Sequence, residues 1–314
     1  MRLTRQTGQG MFAAIMIDRS VSAQSSLMAR ETRLVDGLVP RSLTDSPLPE
    51  QTWQMREDRF LLRGEGEHYF YYLKGEGVAI HRGAGVDLSE ESLWLNGSLY
   101  SAIASINGLL PVHASAVACG GEVYAFTGPP GAGKSTLVAA LGRFSLPMFC
   151  DDTLVLDLSD PDRISCLPGH KRLKLTEEAL ALTGAAREEK VSRTVDKFYA
   201  RPAAGDVGQV LPLAALVFLE EGPDVAITPI RGGEALARLQ DDHYTATLFA
   251  AARQFDRAAH FAHLARLARQ IALASFTRPR DPVQFGAGVA FAAEYVTSWH
   301  GAAGRESNTR VPPP

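Results

Sequence analysis

Gly128-Pro129-Pro130-Gly131-Ala132-Gly133-Lys134-Ser135-Thr136 follows the strand-like run Glu122-Val123-Tyr124-Ala125-Phe126 and precedes a helix-forming one, Leu137 to Phe144. The spacing Gly128-x4-Gly133-Lys134-Ser135 is that of a phosphate-binding loop. Glycines there let backbone N–H groups converge on phosphate oxygens, because a side chain would block the approach, and the helix that follows aims its positive dipole end at the same anion. The pattern assigns Lys134 to the β- and γ-phosphates of a nucleotide and the Ser135 hydroxyl to Mg²⁺. A merely tight turn is the bland alternative; the strand before and the helix after supply the context the motif requires. On the helix, Leu137, Leu141 and Phe144 fall on one face.

Upstream, His113-Ala114-Ser115-Ala116-Val117 and Glu122 to Phe126 read as two strands joined at Gly120-Gly121, a turn-favouring pair. His113 opens the first of them, beside the expected γ-phosphate, and is a candidate for orienting or charge-stabilising contacts. A surface or core histidine is the alternative. Downstream, Asp151-Asp152 interrupts a strand-like run between Met148-Phe149-Cys150 and Thr153 to Leu158. Two carboxylates in apolar surroundings are costly unless a cation or a proton transfer requires them. One would bind Mg²⁺, and the other would accept a proton from an attacking hydroxyl. Strand geometry would turn only one of them toward the site; a solvated loop is the alternative. After Pro168-Gly169 comes the basic cluster His170-Lys171-Arg172-Leu173-Lys174, from which Arg172 and Lys174 would neutralise a triphosphate. Lys197 and Arg201 are lesser candidates of the same kind, and a solvated basic face is the alternative for all of these.

Farther out the chain is less eloquent. Residues 1–65 read as polar and irregular, broken by Pro40, Pro47 and Pro49. Arg2 and Arg5 precede a short apolar run, Met11 to Ile17, but no cleavage site of a secretory leader follows it. His68 to Leu73 and Val78 to Ile80 form a meander around Gly75 and Gly77. Asp87 and Glu90 have capping-box spacing for a helix reaching Ser105, with Leu95, Leu99 and Ile103 as its apolar face and Gly97 weakening it. A helix over Leu173 to Leu182 and a buried strand over Leu213 to Leu219 are expected next. Residues 234–274 are rich in helix formers, with Phe261, Leu264, Ala268 and Ile271 facing the core and His260 and His263 at the surface. The tail 301–314 ends in Val-Pro-Pro-Pro and reads as disordered.

With 46% hydrophobic and 21% charged residues the chain can build a globular core. Its net charge of -3 supplies no general basic face for nucleic acid, and no apolar stretch is long enough to span a bilayer. Three cysteines, Cys119, Cys150 and Cys166, fit neither a disulfide framework nor a zinc site and suit small fillers in strands, which places the chain in the cytoplasm.

The ordered set His113, Gly120-Gly121, Gly128 to Thr136, Asp151-Asp152, Pro168-Gly169-His170-Lys171-Arg172-Leu173-Lys174-Leu175 and Leu211-Pro212-Leu213-Ala214-Ala215-Leu216 resembles the HPr kinase/phosphorylase superfamily. The similarity is to its stand-alone, HPr-kinase-like branch, over residues 68–280. It implies a phosphoenolpyruvate-carboxykinase-like P-loop α/β core rather than the common parallel-sheet nucleotide fold. It further implies His113 near the γ-phosphate, Asp151 as the base for a serine hydroxyl, and Asp152 near the metal. Branch members found with ribosomally made peptide pathways phosphorylate a precursor peptide, including the C-terminal serine of lasso precursors. Two departures stand out. Enzymes acting on HPr usually have Ser-Glu where this chain has Ser135-Thr136, and Asp-Ser where it has Pro129-Pro130; these weaken HPr as a substrate and a reverse, phosphorolytic activity.

The expected architecture is therefore an α/β P-loop kinase core over residues 111–300, preceded by a smaller αβ layer over 1–110 that could dock substrate. The expected activity is Mg-ATP-dependent transfer to a serine of a peptide or protein, with no nucleic-acid or membrane partner and with a homo-oligomer left open. A P-loop small-molecule kinase and an ATP-binding regulator without phosphotransfer are the competing readings.

Overall fold

The computed structural model describes residues 23–240, 244–252 and 257–303. The apolar run Met11 to Ile17 and positions 304–314 lie outside these. Helix α1 (Ala23–Glu31) leads into a four-stranded antiparallel sheet, β1 (Thr52–Met55), β2 (Arg59–Arg63), β3 (His68–Leu73) and β4 (Gly77–Arg82), paired in sequence order. The end of the segment read as irregular is thus ordered sheet, in β1 and β2: Phe60, Leu61 and Leu62 are buried in a run too short, beside the charged stretch Arg56 to Arg59, to stand out.

The helix expected before Ser105 spans a 3₁₀ turn at Leu88–Glu90, α2 (Glu91–Trp94), a π turn at Leu95–Leu99 and α3 (Tyr100–Ile106). Gly97 does not break it; the widened turn absorbs the residue, a distortion that often marks a functional site. The Glu90 carboxylate is engaged by Thr194 rather than reaching back into a capping box. Leu99 and Ile103 are buried as expected, among residues of the four-stranded sheet and with Val155, Leu167 and Leu248 from the rest of the chain.

The central sheet is mixed. Strands β5 (Leu110–Val112), β6 (Ala114–Cys119) and β7 (Glu122–Thr127) precede α4 (Lys134–Leu141), after which come β8 (Met148–Cys150), β9 (Leu154–Asp157) and β10 (Ser165–Leu167). A small three-stranded sheet, β11 (Leu173–Leu175), β12 (Arg187–Lys190) and β13 (Phe198–Ala200), surrounds α5 (Glu177–Thr183). The long strand β14 (Leu211–Glu221) is followed by β15 (Ala226–Pro229), helices α6 (Gly232–Leu239), α7 (Tyr244–Ala252) and α8 (Arg257–Gln270), β16 (Ala272–Arg278) and α9 (Pro282–Ala303). The order is β5-β9-β10-β14-β7-β6-β8, and β16 pairs with both β14 and β15.

Strand β14 runs parallel to β7 on one side and to β16 on the other. Its uninterrupted apolar run is what a strand covered on both faces demands. Ala215, Val217 and Leu219 face α4, α5 and α9, while Leu213, Leu216 and Phe218 face the layer that includes Phe249 of α7 and Leu267 of α8. The β6–β7 hairpin closes at Gly120-Gly121, whose positive φ values of 57° and 79° are those a two-residue hairpin turn requires.

Four local expectations change. Leu173 to Leu175 is strand, and the helix begins only after Thr176, whose side chain accepts from the Ala179 N–H. Residues 272–274, the end of the segment read as rich in helix formers, open strand β16, because the parallel edge of β14 is available to them. Phe144 and Phe261 are exposed, at 44% and 52%, whereas Leu264 and Leu267 carry the α8 contact. Residues 301–303, assigned to the tail, continue α9.

The three cysteines are free and lie in strands, Cys150 and Cys166 fully buried. Burial pushes the Cys150 thiol up to about 12. Among the described residues no helix is long and apolar enough to cross a membrane.

Phe276 of β16 is fully buried between β14 and α9. Phe276→Ala should therefore cost about 3–5 kcal/mol of unfolding free energy, read from the urea midpoint at unchanged slope. A loss below 1 kcal/mol would show that β16 is not part of the cooperative core.

Candidate active site

The parallel strands β7 and β14 end side by side, and the glycine-rich loop leaves the end of β7. In mixed and parallel sheets this edge is where ligands bind. Gly128, Gly131 and Gly133 have φ of 145°, 82° and 84°, conformations closed to most side chains, so the loop can curl with its N–H groups inward. Gly133 caps α4 directly, and Lys134 is the helix's first residue.

Lys134 is folded against the loop it belongs to, its Nζ donating to the carbonyls of Gly128 at 2.8 Å and Pro129 at 3.2 Å. Burial outweighs the carboxylates of Asp152 and Asp151 and lowers its pKa to about 8. Ser135 Oγ donates to Asp151 Oδ1 at 2.8 Å. The same oxygen accepts from Ser115 Oγ at 2.6 Å, and Oδ2 accepts from the Lys174 N–H at 3.1 Å. Asp151 is thus saturated and 1% exposed. It binds strand β6, the phosphate loop's helix and strand β11 to one point.

Asp152 faces a different way. The pair lies at the bend between β8 and β9, not inside a strand, and Asp152 has a left-handed φ of 72°. The strict alternation expected of a strand therefore does not apply, and both carboxylates reach the loop region. Asp152 Oδ2 pairs with Lys174 Nζ at 2.7 Å; His113 Nδ1 lies 2.9 Å from the Asp152 carbonyl and 3.7 Å from Oδ1. Burial works to raise the Asp152 pKa, but the charge and hydrogen bond of Lys174, with His113 and Lys197 adding, hold it below the ordinary value. Lys174 shows the counterpart: burial opposes its charge, and Asp152 and Asp151 together raise it.

These groups line one cleft of about 910 Å³. It brings together residues 128–136, His113, Asp152 and Lys174, and also Lys197. Asp151 stands just behind it, reached through Ser115 and Ser135. Arg172 is not brought in. Its guanidinium bonds Glu188 and Glu189 of β12 and lies 3.8 Å from the ring centroid of Tyr199 in β13, so these partners hold it although it stands only two residues from Lys174. Arg201 is likewise held by Glu188.

Sequence reasoning passed over two basic residues and one glycine. Arg278, at the end of β16, donates to the Ala132 carbonyl at 2.7 Å, and Arg280 to the Gly131 carbonyl at 3.3 Å. Burial, with Arg280 adding like charge, lowers the Arg278 pKa from its usual value. Arg278-Pro279-Arg280 after the apolar stretch Ile271 to Phe276 is the available signal, obscured because the start of that stretch closes a segment rich in helix formers. From the N-terminal layer, Gly97 brings the π turn against the acidic pair: a Cβ there would lie 3.6 Å from Asp152 Oδ2.

The donor set suits a nucleotide with Mg²⁺. Among the described residues no cluster of three or more His, Cys, Asp or Glu is arranged to hold a metal by itself. A hydroxyl and one or two carboxylates are what Mg²⁺ uses when phosphate oxygens and water complete its shell. No family model and no curated protein matches the chain. Among solved structures, the Hpr(Ser) kinase/phosphatase from Coxiella burnetii is similar over 58% of this chain and 95% of that one, at 12% identity and a TM-score of 0.30. At that level of likeness neither activity nor substrate carries over.

Two outcomes follow from the electrostatics. Phosphate binding favours charged Lys134, so affinity for inorganic triphosphate is flat below pH 8 and weakens above it, by up to about tenfold per pH unit; calorimetry in buffers of different ionisation heat would register proton uptake there. Removing the Lys174 charge in Lys174→Met should raise the Asp152 pKa, seen as a higher midpoint in the carboxyl carbon NMR titration. An unchanged midpoint would mean that Lys174 does not set it.

Proposed function

We propose that this chain is an Mg-ATP-dependent phosphotransferase that moves the γ-phosphoryl group to a hydroxyl, with a serine of a peptide or protein as the acceptor. The observation that carries the reading is the division of labour in the acidic pair. A P-loop serine is tied to one buried, saturated carboxylate, Asp151, while the second, Asp152, faces the cleft beside a lysine and a histidine. Binding alone has no use for the second carboxylate; hydroxyl activation does.

The resemblance assigns the base to Asp151, and the geometry favours the reverse. Asp151 is 1% exposed and accepts hydrogen bonds from Ser115, Ser135 and the Lys174 N–H, which suits an anchor of Ser135 on the side where a metal would bind. Asp152 accepts the hydroxyl proton as the acceptor oxygen bonds to the γ-phosphorus. The bond from that phosphorus to the β,γ-bridging oxygen breaks, and ADP leaves. Lys134, Lys174 and Arg278 neutralise charge on the phosphates, and bound Mg²⁺ would add to this by drawing charge from the phosphate oxygens. Lys174 has a dual part. In the free protein its charge holds Asp152 ionised; attraction to an incoming γ-phosphate weakens that hold and makes Asp152 a better base as substrate arrives.

His113 orients Asp152 through its backbone carbonyl and lies close to the carboxylate, consistent with a positioning role. Next to Asp152, the helix that carries Gly97 presents Leu93 and Trp94 to the cleft, an apolar wall suited to a peptide. A lasso-type precursor ending in serine is the acceptor favoured first, ahead of HPr.

The test is phosphopeptide mass spectrometry with purified protein, Mg²⁺ and ATP, offering such a precursor and HPr. Asp152→Asn should lower kcat by about 10²–10⁴-fold with nucleotide affinity nearly unchanged. Lys134→Ala should lose nucleotide binding, and Asp151→Asn should weaken Mg-ATP affinity before it touches the chemistry. Full activity in Asp152→Asn with loss in Asp151→Asn would restore the original assignment of the base. Nucleotide binding without transfer to any hydroxyl acceptor would leave a regulator rather than a kinase.

A further inference from the structure

A second chamber, of about 430 Å³, lies beside the cleft. Its floor is Leu216 and Phe218 of β14, its side Leu110 and Val112 of β5, and its roof residues of α7 and α8, among them Ala246 and Leu264. It occupies the face of β14 opposite α4. It meets the nucleotide cleft along a wall shared by three residues, His113, Phe218 and Arg238. His113 is the residue whose ring stands 3.7 Å from Asp152 Oδ1, so the chamber opens one side chain away from the carboxylate that faces the cleft.

We infer that this chamber is the acceptor pocket, receiving an apolar side chain that flanks the phosphorylated serine in a peptide; the inference rests on the phosphotransfer reading of the cleft. The chemistry of the walls selects the occupant. Leucines, Val112 and two phenylalanines make up most of the lining, interrupted by Thr127, Gln240, Thr245, Thr247 and His260, and a predominantly apolar lining favours hydrocarbon over a charged group. Arg238 at the rim is neutralised by Glu220 and packs over the Phe218 ring, so it calls for no acidic group. Ala246, where α7 could have carried a large residue, leaves the space open. Position decides between acceptor and nucleotide base. A base that deprotonates the acceptor must sit at the γ-phosphate, and the chamber opens there, whereas the adenine occupies the far end of the triphosphate.

The experiment uses the full chain with peptides that carry one serine flanked by Leu, Phe or Ala. Leu- or Phe-flanked peptides should exceed Ala-flanked ones by about 10- to 100-fold in kcat/KM, the worth of burying one such side chain. Ala250→Trp, at an exposed position on the chamber wall, should erase that preference while ATP affinity stays within twofold. Ala246→Leu, a smaller intrusion, should narrow the preference from Phe toward Ala if the larger change disturbs folding. Fluorescein-labelled peptides with alanine in place of serine report the same preference in binding anisotropy without turnover. Preference in anisotropy with no phosphate transferred would sink the phosphotransfer reading and keep the pocket. Equal binding and turnover of all flanks would overturn the pocket and keep the kinase. A tenfold loss of ATP affinity in Ala250→Trp, with peptide preference intact, would reassign the chamber to the adenine and overturn the proposal.

Discussion

Everything at this site hangs on the Asp151 carboxylate. It is buried, ionisable and surrounded by hydrogen-bond donors from three elements: the Ser115 hydroxyl of β6, the Ser135 hydroxyl of α4 and the Lys174 N–H of β11. Hydrogen bonds to a charged acceptor are roughly twice as strong as neutral ones, and an unsatisfied buried charge is far more costly than either. The three elements therefore share a single low-energy arrangement. The phosphate loop sits in a fixed position relative to the hairpin that feeds it, and β11 is set so that the next basic group, Lys174 Nζ, reaches Asp152. A hydrophobic residue in place of Asp151 could fill the space, but it could not register three strands and helices to a common point.

The second consequence is a site held in a resting electrostatic state. Lys134 is occupied by the carbonyls of its own loop and Lys174 by Asp152. Arg278 and Arg280 brace the loop from the β16 side through the carbonyls of Ala132 and Gly131. Each of these cations is satisfied by a partner within the protein, which lets a basic cleft remain folded.

The N-terminal layer is more than a lid on the core. Its helix widens into a π turn at Leu95–Leu99, and Gly97 in that turn stands against Asp152, where a Cβ would meet Oδ2 in ordinary contact at 3.6 Å. The same helix buries Leu99 and Ile103 in a cluster that includes Val155 and Leu167 from the strands beyond the acidic pair. This packing supports the strands that follow the Asp151-Asp152 bend, where Asp152 takes the left-handed conformation that a short polar side chain tolerates.

What was legible in the chain was whatever local chemistry demands. The glycine-lysine-serine loop, the Gly120-Gly121 hairpin and the apolar run of β14 each follow from backbone constraints that act within a few residues. The acidic pair announced itself by its cost in apolar surroundings. The sequence alone could not decide which aspartate faces the cleft, because a strand would have alternated them and the chain instead bends at Asp152. Nor could it separate Lys174 from Arg172, two residues apart, since Glu188 and Glu189 capture the arginine from a strand that is distant in sequence. Nor does it mark strand β16, whose first residues close a segment rich in helix formers; the parallel edge of β14 orders it, and with it Arg278 and Arg280 arrive at the loop. Local propensity and motif determined the phosphate grip; only tertiary structure, through pairing between distant strands and the burial of one carboxylate, decided which charges surround it.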